Sequence, residues 1–393
     1  MSLDFQQVQE QVRQIGEGAQ AHEQKRMELL EQAWQWLERW NEESGWLLRQ
    51  IVEAVSHEPM VRCARPTDAA VRKPEPLRVA FPPGQLPERA TVLAADGSQI
   101  SPDRHAEVLY CLINVGAIQM QYGSPEPPRT TIISRLLYAE ELFTPAGLIS
   151  EALLSILRDQ HERAILADLA EEAVHPVITF TDGPIELWGA KGSDEETASF
   201  RENLQKYLDA LERLCRMDVI VGGYVDKPMS DLVVRMLEIA SASGKELADL
   251  RRYRPLRGVA DRDLFESLLK PGERSAVFAL QSTSDRQYQG ELALHFFYIN
   301  VGSEVHPWVA RVEIPAWVAR DDRKLEHLHA TLIDQCQMMG GRHFPYLLHR
   351  AHETAVVTLP EKEQVTQMIA LELRRRGVSV GRPSEKLQAK RAS

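Results

Sequence analysis

The sequence predicts a mixed α/β fold, a sheet flanked by helices, with a helical extension on its N-terminal side. Two observations carry this. Three β-rich segments in a row, "TVLAAD", "VLYCLINVGAIQMQY" and "RTTIISRLLYA", precede an alternation of helix and strand patterns. The later segment "PVITFTDGP" is a near-continuous apolar run, as expected of a central strand covered on both faces. The resulting order, β-β-β-α-β-α-β, points to antiparallel strands continued by others in a mixed sheet.

Residues 1–58 read as the helical extension. Phe5, Val8, Val12 and Ile15 step along one helical face, and Met27, Leu30, Trp34 and Leu37 do the same further on. Gly16 and Gly18 are expected to split this segment into two helices. Trp34, Trp36, Trp40 and Trp46 read as a packing face for the main domain or a second copy of the chain; the alternative is a platform for stacked bases. Pro59, Pro66, Pro74, Pro76, Pro82, Pro83 and Pro87 make residues 59–89 an extended linker. The main domain, 90–376, then carries a helix over about 146–172, the "PVITFTDGP" strand, a helix near 194–216 and the strand "DVIVGGYVDKP". Further strands, "RSAVFALQS", "LALHFFYINV" and "WVARVEIPAWV", and helices near 322–339, 344–356 and 361–376 complete it. Residues 377–393 read as a basic, flexible tail.

Composition narrows the function. An apolar fraction of 44% suits a globular chain with a real core. No apolar run is long enough to span a bilayer. The opening "MSLDFQQVQEQVRQ" is polar and acidic, unlike a secretory signal. Cys63, Cys111, Cys215 and Cys336 match no zinc or redox spacing and read as buried thiols of a cytoplasmic protein. A net charge of -11 argues against an indiscriminate nucleic-acid coat but not against an enzyme that grips nucleic acid in one groove.

Chemistry is suggested by two acids in the same setting. "VLAADGS" ends in Asp96 and "ITFTDGP" in Asp182, each after an apolar strand and before glycine. In neighbouring strands the two carboxylates emerge at one sheet edge, where a divalent cation offsets their repulsion. Gly97 is expected to leave room there for the ion and a phosphate. The helix between the two strands offers Glu151, Asp159, Glu162, Asp168, Glu171 and Glu172 as a third ligand. Glu162 stands where that helix becomes strongly apolar, and spacing alone does not single it out. In "FPYLLHRAHETAVV", His349 and His352 are three residues apart but lack the glutamate of a zinc-protease motif. A single histidine from this helix joins the acids or moves a proton.

In this order, "AADGSQ", "HERAILADLAEE", "ITFTDGP", "VIVGGYVDKP" and "FPYLLHRAHETAVV" resemble the NurA nucleases, over about 91–360. The resemblance implies a ribonuclease-H-like core and a Mn²⁺-dependent DNA nuclease, with Mg²⁺ as the other ion to consider. It implies single-strand endonuclease and 5′–3′ exonuclease activity in DNA end resection. It also implies a homodimer partnered by a HerA-type hexameric translocase. By position, Asp96, Glu162, Asp182 and His352 match the metal ligands and catalytic residues, and Lys227 matches a basic position that contacts a phosphate. Phe344 departs from the family pattern, which often has tyrosine there. Glu186, Asp194, Glu195 and Glu196 are competing acids. The alternatives are a non-catalytic partner subunit of a translocase, or another ribonuclease-H-like enzyme, a strand transferase or junction resolvase.

Overall fold

A computed structural model describes residues 3–145, 147–187 and 194–381, with the side chains of 194–197 left aside. The tail residues Arg382, Lys386, Lys390 and Arg391 and the side chains of Asp194, Glu195 and Glu196 thus lie outside the described residues. The chain forms two compact units, one of residues up to 83 with 225–320, the other of 84–224 with 321 onward. The boundary falls inside the segment read from sequence as a single domain.

The second unit is built on β1 (Ala90–Ile100), β2 (Tyr110–Tyr122), β3 (Arg129–Tyr138), β4 (Val177–Asp182) and β5 (Ile220–Val225). They lie in the order β5-β4-β1-β2-β3. β2 pairs antiparallel with β1 and β3, and β4 pairs parallel with β1 and β5. This is the mixed sheet that the order of patterns predicts, in the ribonuclease-H-like arrangement that the resemblance implies. The parallel strands need crossovers, supplied by α1 (Glu151–Glu171) and α2 (Asp194–Arg216). The unit closes with α3 (Asp322–Gln337), α4 (Tyr346–Ala355) and α5 (Leu359–Arg375). Val92, Leu93, Ala94, Ile178 and Phe180 are fully buried, so the apolar runs of β1 and β4 are core strands.

The first unit holds an antiparallel array of Cys63–Pro66, Phe278–Gln281, Leu294–Asn300 and Val309–Pro315. The first of these comes from the proline-rich stretch 59–89. The N-terminal segment is one helix, Phe5–Arg39, that runs through Gly16 and Gly18. A helical glycine costs about 1 kcal/mol, which a long helix absorbs. The break comes instead at 40–43, where Leu77 and Arg78 donate backbone N–H groups to the Asn41 carbonyl and side-chain oxygen. The helix Ser44–His57 follows. Trp40 is buried, whereas Phe5, Val8, Val12 and Ile15 stand exposed.

Helix Leu232–Ser241 has no counterpart in the sequence reading. Leu232, Val233, Val234, Met236, Leu237 and Ile239 are all buried, and so are Arg235 and Glu238 one turn apart among them, so a ten-residue, mostly apolar run reads equally as strand or helix. Its N-terminus is capped from a distance: buried Asp261 accepts from Val233 N at 3.0 Å, Val234 N at 2.8 Å and the Tyr298 hydroxyl at 2.5 Å. Burial outweighs these donors and lifts the Asp261 carboxyl to about 6. Among the described residues no helix is long and apolar enough to cross a membrane. Burial pushes the Cys63 thiol up to about 12 and the Cys111 thiol to about 11, which keeps these two protonated and inert.

Asp261→Ala strips acceptors from two buried N–H groups and a buried hydroxyl. It is expected to lower stability by about 2–3 kcal/mol, read from the urea unfolding midpoint.

Candidate metal centre

Asp96 does not end its strand. β1 continues to Ile100, and what stops near Asp96 is the pairing with β4, whose last register pair is Ala95 with Thr181. The next residues along the two strands are Asp96 and Asp182, so parallel register sets both acids at the same level. Only the second Asp-Gly is a turn. Gly183 has φ +88 and donates its N–H to the Tyr224 carbonyl at 2.7 Å.

Gly97 has another function. A Cβ there would lie 2.6 Å from Arg158 Cγ and 2.7 Å from Glu162 Oε1. The space expected for an ion is occupied by the α1 side chains that bring Glu162 up to β1. On β2, Gly116 is the register partner of Asp96, and a Cβ on it would lie 2.9 Å from both Ala355 N and Thr354 Cβ. Directly opposed residues share a face and successive residues alternate. Gly116 and Asp96 therefore face α4, while Gly97 faces α1. The helices approach Asp96 from opposite sides of the sheet.

α4 is also tied at its end. Ser98 Oγ and Asn114 Nδ2 both donate to the Ala355 carbonyl, the latter at 2.8 Å, and Ser134 Oγ donates to Asn114 Oδ1 at 2.6 Å. This anchorage sets His352 Nδ1 2.7 Å from Asp96 Oδ2. Asp96 Oδ1 accepts from the Gly97 N–H at 2.8 Å. The His352 side chain is 62% exposed and so is open to a ligand.

Among the α1 acids, Glu162 is singled out by burial, at 5% exposure. Asp168 and Glu171 pair with Arg213. Asp159 pairs with Arg158 at 2.8 Å, and Arg158 Nε lies 3.3 Å from Glu162 Oε1. Burial pushes the Glu162 carboxyl well above the usual carboxylate range; Asp159 and Asp96 push the same way, and Arg158 and Arg163 oppose. A cavity of about 410 Å³ is lined by Glu162, Asp182, Arg158, Arg163, Thr181 and Tyr207, among others. Arg163 is buried in its wall, donates to Thr181 Oγ1 at 2.9 Å and Tyr207 Oη at 3.1 Å, and leaves Nε and Nη1 without partners.

The sequence reading did not single out the two arginines that flank the acids. Their signal is the "RDQHERA" segment, in which Arg158 falls one helical turn before Glu162 and Arg163 directly follows it. Glu186 also lines the cavity and is buried. His349 is engaged elsewhere, 3.0 Å from Arg342 Nη1 and 3.4 Å from Glu353. Lys227 belongs to the first unit, where its Nζ sits 3.9 Å from the centre of the Trp308 ring. Phe344 packs edge-on against Tyr224, with ring centres 5.5 Å apart.

Among the described residues no three His, Cys, Asp or Glu side chains are gathered tightly enough to ligate one ion as they stand. The donor set nevertheless suits a hard divalent cation. It offers carboxylate oxygens and one imidazole, and one carboxylate is buried without backbone donors. Arg158 and His352 hold positions beside these acids.

A family model described as the NurA domain matches residues 90–357. The crystal structure of the NurA nuclease from Sulfolobus solfataricus aligns with a TM-score of 0.50 and 13% identity, over 76% of this chain and 88% of that one. The catalytic domain of human endonuclease V aligns with a TM-score of 0.32 and 13% identity, over 84% and 97% of the two chains. The type 1 ribonuclease H LC9-RNase H1 aligns with a TM-score of 0.20 and 13% identity, over 31% and 60%. These last two scores are too low to bear on function. No curated protein sequence matches the chain.

Without metal, a raised Glu162 makes the folded state bind a proton that the unfolded state has released. Stability is then greatest below the unfolded value of 4.5 and falls as pH rises through the folded value. Glu162→Gln is expected to flatten this decline and to gain on the order of 1 kcal/mol in mildly alkaline, metal-free buffer, measured by urea unfolding across pH.

Proposed function

The chain belongs to the NurA nuclease family, and from that premise we propose that it is a metal-dependent DNA nuclease using Asp96, Glu162, Asp182 and His352. The observation that carries this reading is the closure of α1 and α4 on Asp96. It sets a buried glutamate and a histidine on either side of that acid, level with the end of β4 at Asp182.

Asp96, Asp182 and Glu162 supply oxygen ligands for a divalent cation, Mn²⁺ or Mg²⁺, and His352 completes the set. Such an ion, when bound, activates the attacking water and stabilises charge on the phosphodiester. The chain's own residues do the rest. Burial of Glu162 gives it a strong gain on pairing with a cation, because its charge is otherwise poorly compensated. His352 is oriented by Asp96 through Nδ1, which leaves Nε2 to ligate or to pass a proton to the leaving oxygen. Arg163, whose Nε and Nη1 lack partners, supplies positive charge beside the cavity and opposes proton uptake by Glu162. Lys227, raised over Trp308, is a phosphate contact.

The finer assignment is single-strand endonuclease and 5′–3′ exonuclease activity in double-strand break repair, in the cytoplasm, with a HerA-type translocase and as a homodimer. The exposed apolar stripe of Phe5, Val8, Val12 and Ile15 supports a protein-contact role for the first helix.

The test is cleavage of a labelled single strand with Mn²⁺, with Mg²⁺ and with chelator. Chelator is expected to abolish cutting. Asp96→Ala, Glu162→Gln and Asp182→Ala should each lower kcat by about 10³-fold or more without changing circular dichroism. An Asp96→Ala protein that cuts at the wild-type rate sinks the assignment.

A further inference from the structure

We propose that Arg158 is the resident counter-ion of the acid cluster and that a divalent cation entering the site displaces it from Glu162. The inference rests on the metal-centre reading above. Its basis is the placement of the Arg158 side chain, whose stem passes under the missing Cβ of Gly97, with Cγ 2.6 Å and Cδ 3.0 Å from that position. The guanidinium therefore reaches both Asp159 and Glu162. Nε lies 3.3 Å from Glu162 Oε1 and 3.2 Å from Asp159 Oδ1, and Nη2 lies 2.8 Å from Asp159 Oδ1. Asp96 is within electrostatic reach of the same group. One guanidinium thus serves several carboxylates, and it lines the cavity that also holds Asp182.

This contact set has two unequal parts. The bond to Asp159 is short and uses two nitrogens of the fork, whereas that to Glu162 is longer and uses Nε alone. Arg158 can give up Glu162 and keep Asp159. Asp159 is thus the carboxylate on which the guanidinium rests after the exchange, which explains an acid beside the site that is not itself a ligand. Arg158 is a positioning residue: it holds Glu162 extended toward Gly97 until the ion arrives, and the ion must pay for its release.

The experiment is calorimetric titration of the full chain with Mg²⁺ alone, with every variant held at the same pH. Arg158→Met is expected to bind Mg²⁺ about tenfold more tightly than wild type, because no resident cation has to leave. Arg158→Lys cannot bridge both carboxylates with one fork and should also bind more tightly than wild type. Arg213→Met, which removes the half-buried partner of Asp168 and Glu171, should match wild type. A folded Arg158→Met or Arg158→Lys protein that binds Mg²⁺ no better than wild type overturns the proposal. Equal tightening in Arg213→Met overturns it too, since the effect would then be one of net charge. Asp96→Ala separates the two readings. If it binds Mg²⁺ like wild type, the metal centre itself is misassigned; if it loses binding while Arg158→Met is unchanged, only the role of Arg158 fails.

Discussion

The candidate site depends on two missing methyl groups. Asp96 pairs across the ladder with Gly116 and is followed by Gly97, and side chains alternate between the faces of a sheet. The absent Cβ at Gly116 lets the end of α4 come down on one face, and the absent Cβ at Gly97 lets Glu162 and Arg158 come up on the other. Every other feature of the centre follows from these approaches. Contacts under 3 Å to backbone nitrogen or a carboxylate leave no slack, and forcing extra volume into a packed interface costs about 1–3 kcal/mol. A displaced α4 would carry His352 away from Asp96, and a positional error of about 1 Å is enough to impair a reaction that depends on alignment.

The two units bury carboxylates in contrasting ways. Asp261, in the first, accepts two backbone N–H bonds and a tyrosine hydroxyl, so its charge is built into the end of a helix. Glu162, in the second, is as deeply buried but has one weak arginine contact at 3.3 Å and acids for neighbours. Fixed donors make an acid structural. Their absence, beside a cavity of about 410 Å³, leaves the Glu162 carboxyl with a raised proton affinity that Arg158 and Arg163 only partly oppose. Asp96 is intermediate, its two oxygens taken by a backbone N–H and by a histidine that is itself exposed.

Much of this was legible in the sequence. The strand-rich opening and the apolar runs before Asp96 and Asp182 specify the sheet because buried strands have little freedom of composition. Glu162 and His352 were legible as part of an ordered set of motifs, less so from local pattern. What escaped has definite causes. Leu232–Ser241 is a short, mostly apolar run whose Arg235 and Glu238 are buried with the rest, and such a run reads equally as strand or helix. The Asp-Gly at 96–97 looked like the one at 182–183, yet Gly97 lies within a strand and only Gly183 has positive φ. Sequence cannot distinguish a glycine that turns the chain from one that admits a neighbour. Gly16 and Gly18 illustrate the same limit, since the helix runs through both while tertiary bonds to Asn41 decide where it breaks.

The departure at Phe344 bears on whether such a centre is retained for catalysis or only inherited. Its ring packs edge-on against Tyr224, whose hydroxyl donates to the His343 carbonyl, so an aromatic side chain there has a packing function without a hydroxyl. Glu162 has no comparable packing function. A glutamine of the same size would fill its place without the cost of a desolvated charge among other acids, and an alanine at position 97 or 116 would relieve glycine's entropic cost were the helices not so close. A chain serving only as scaffold for a partner would be more stable without these features. Their joint presence around Asp96 is a stability cost that the fold does not require, and the cation of the proposed centre would offset it.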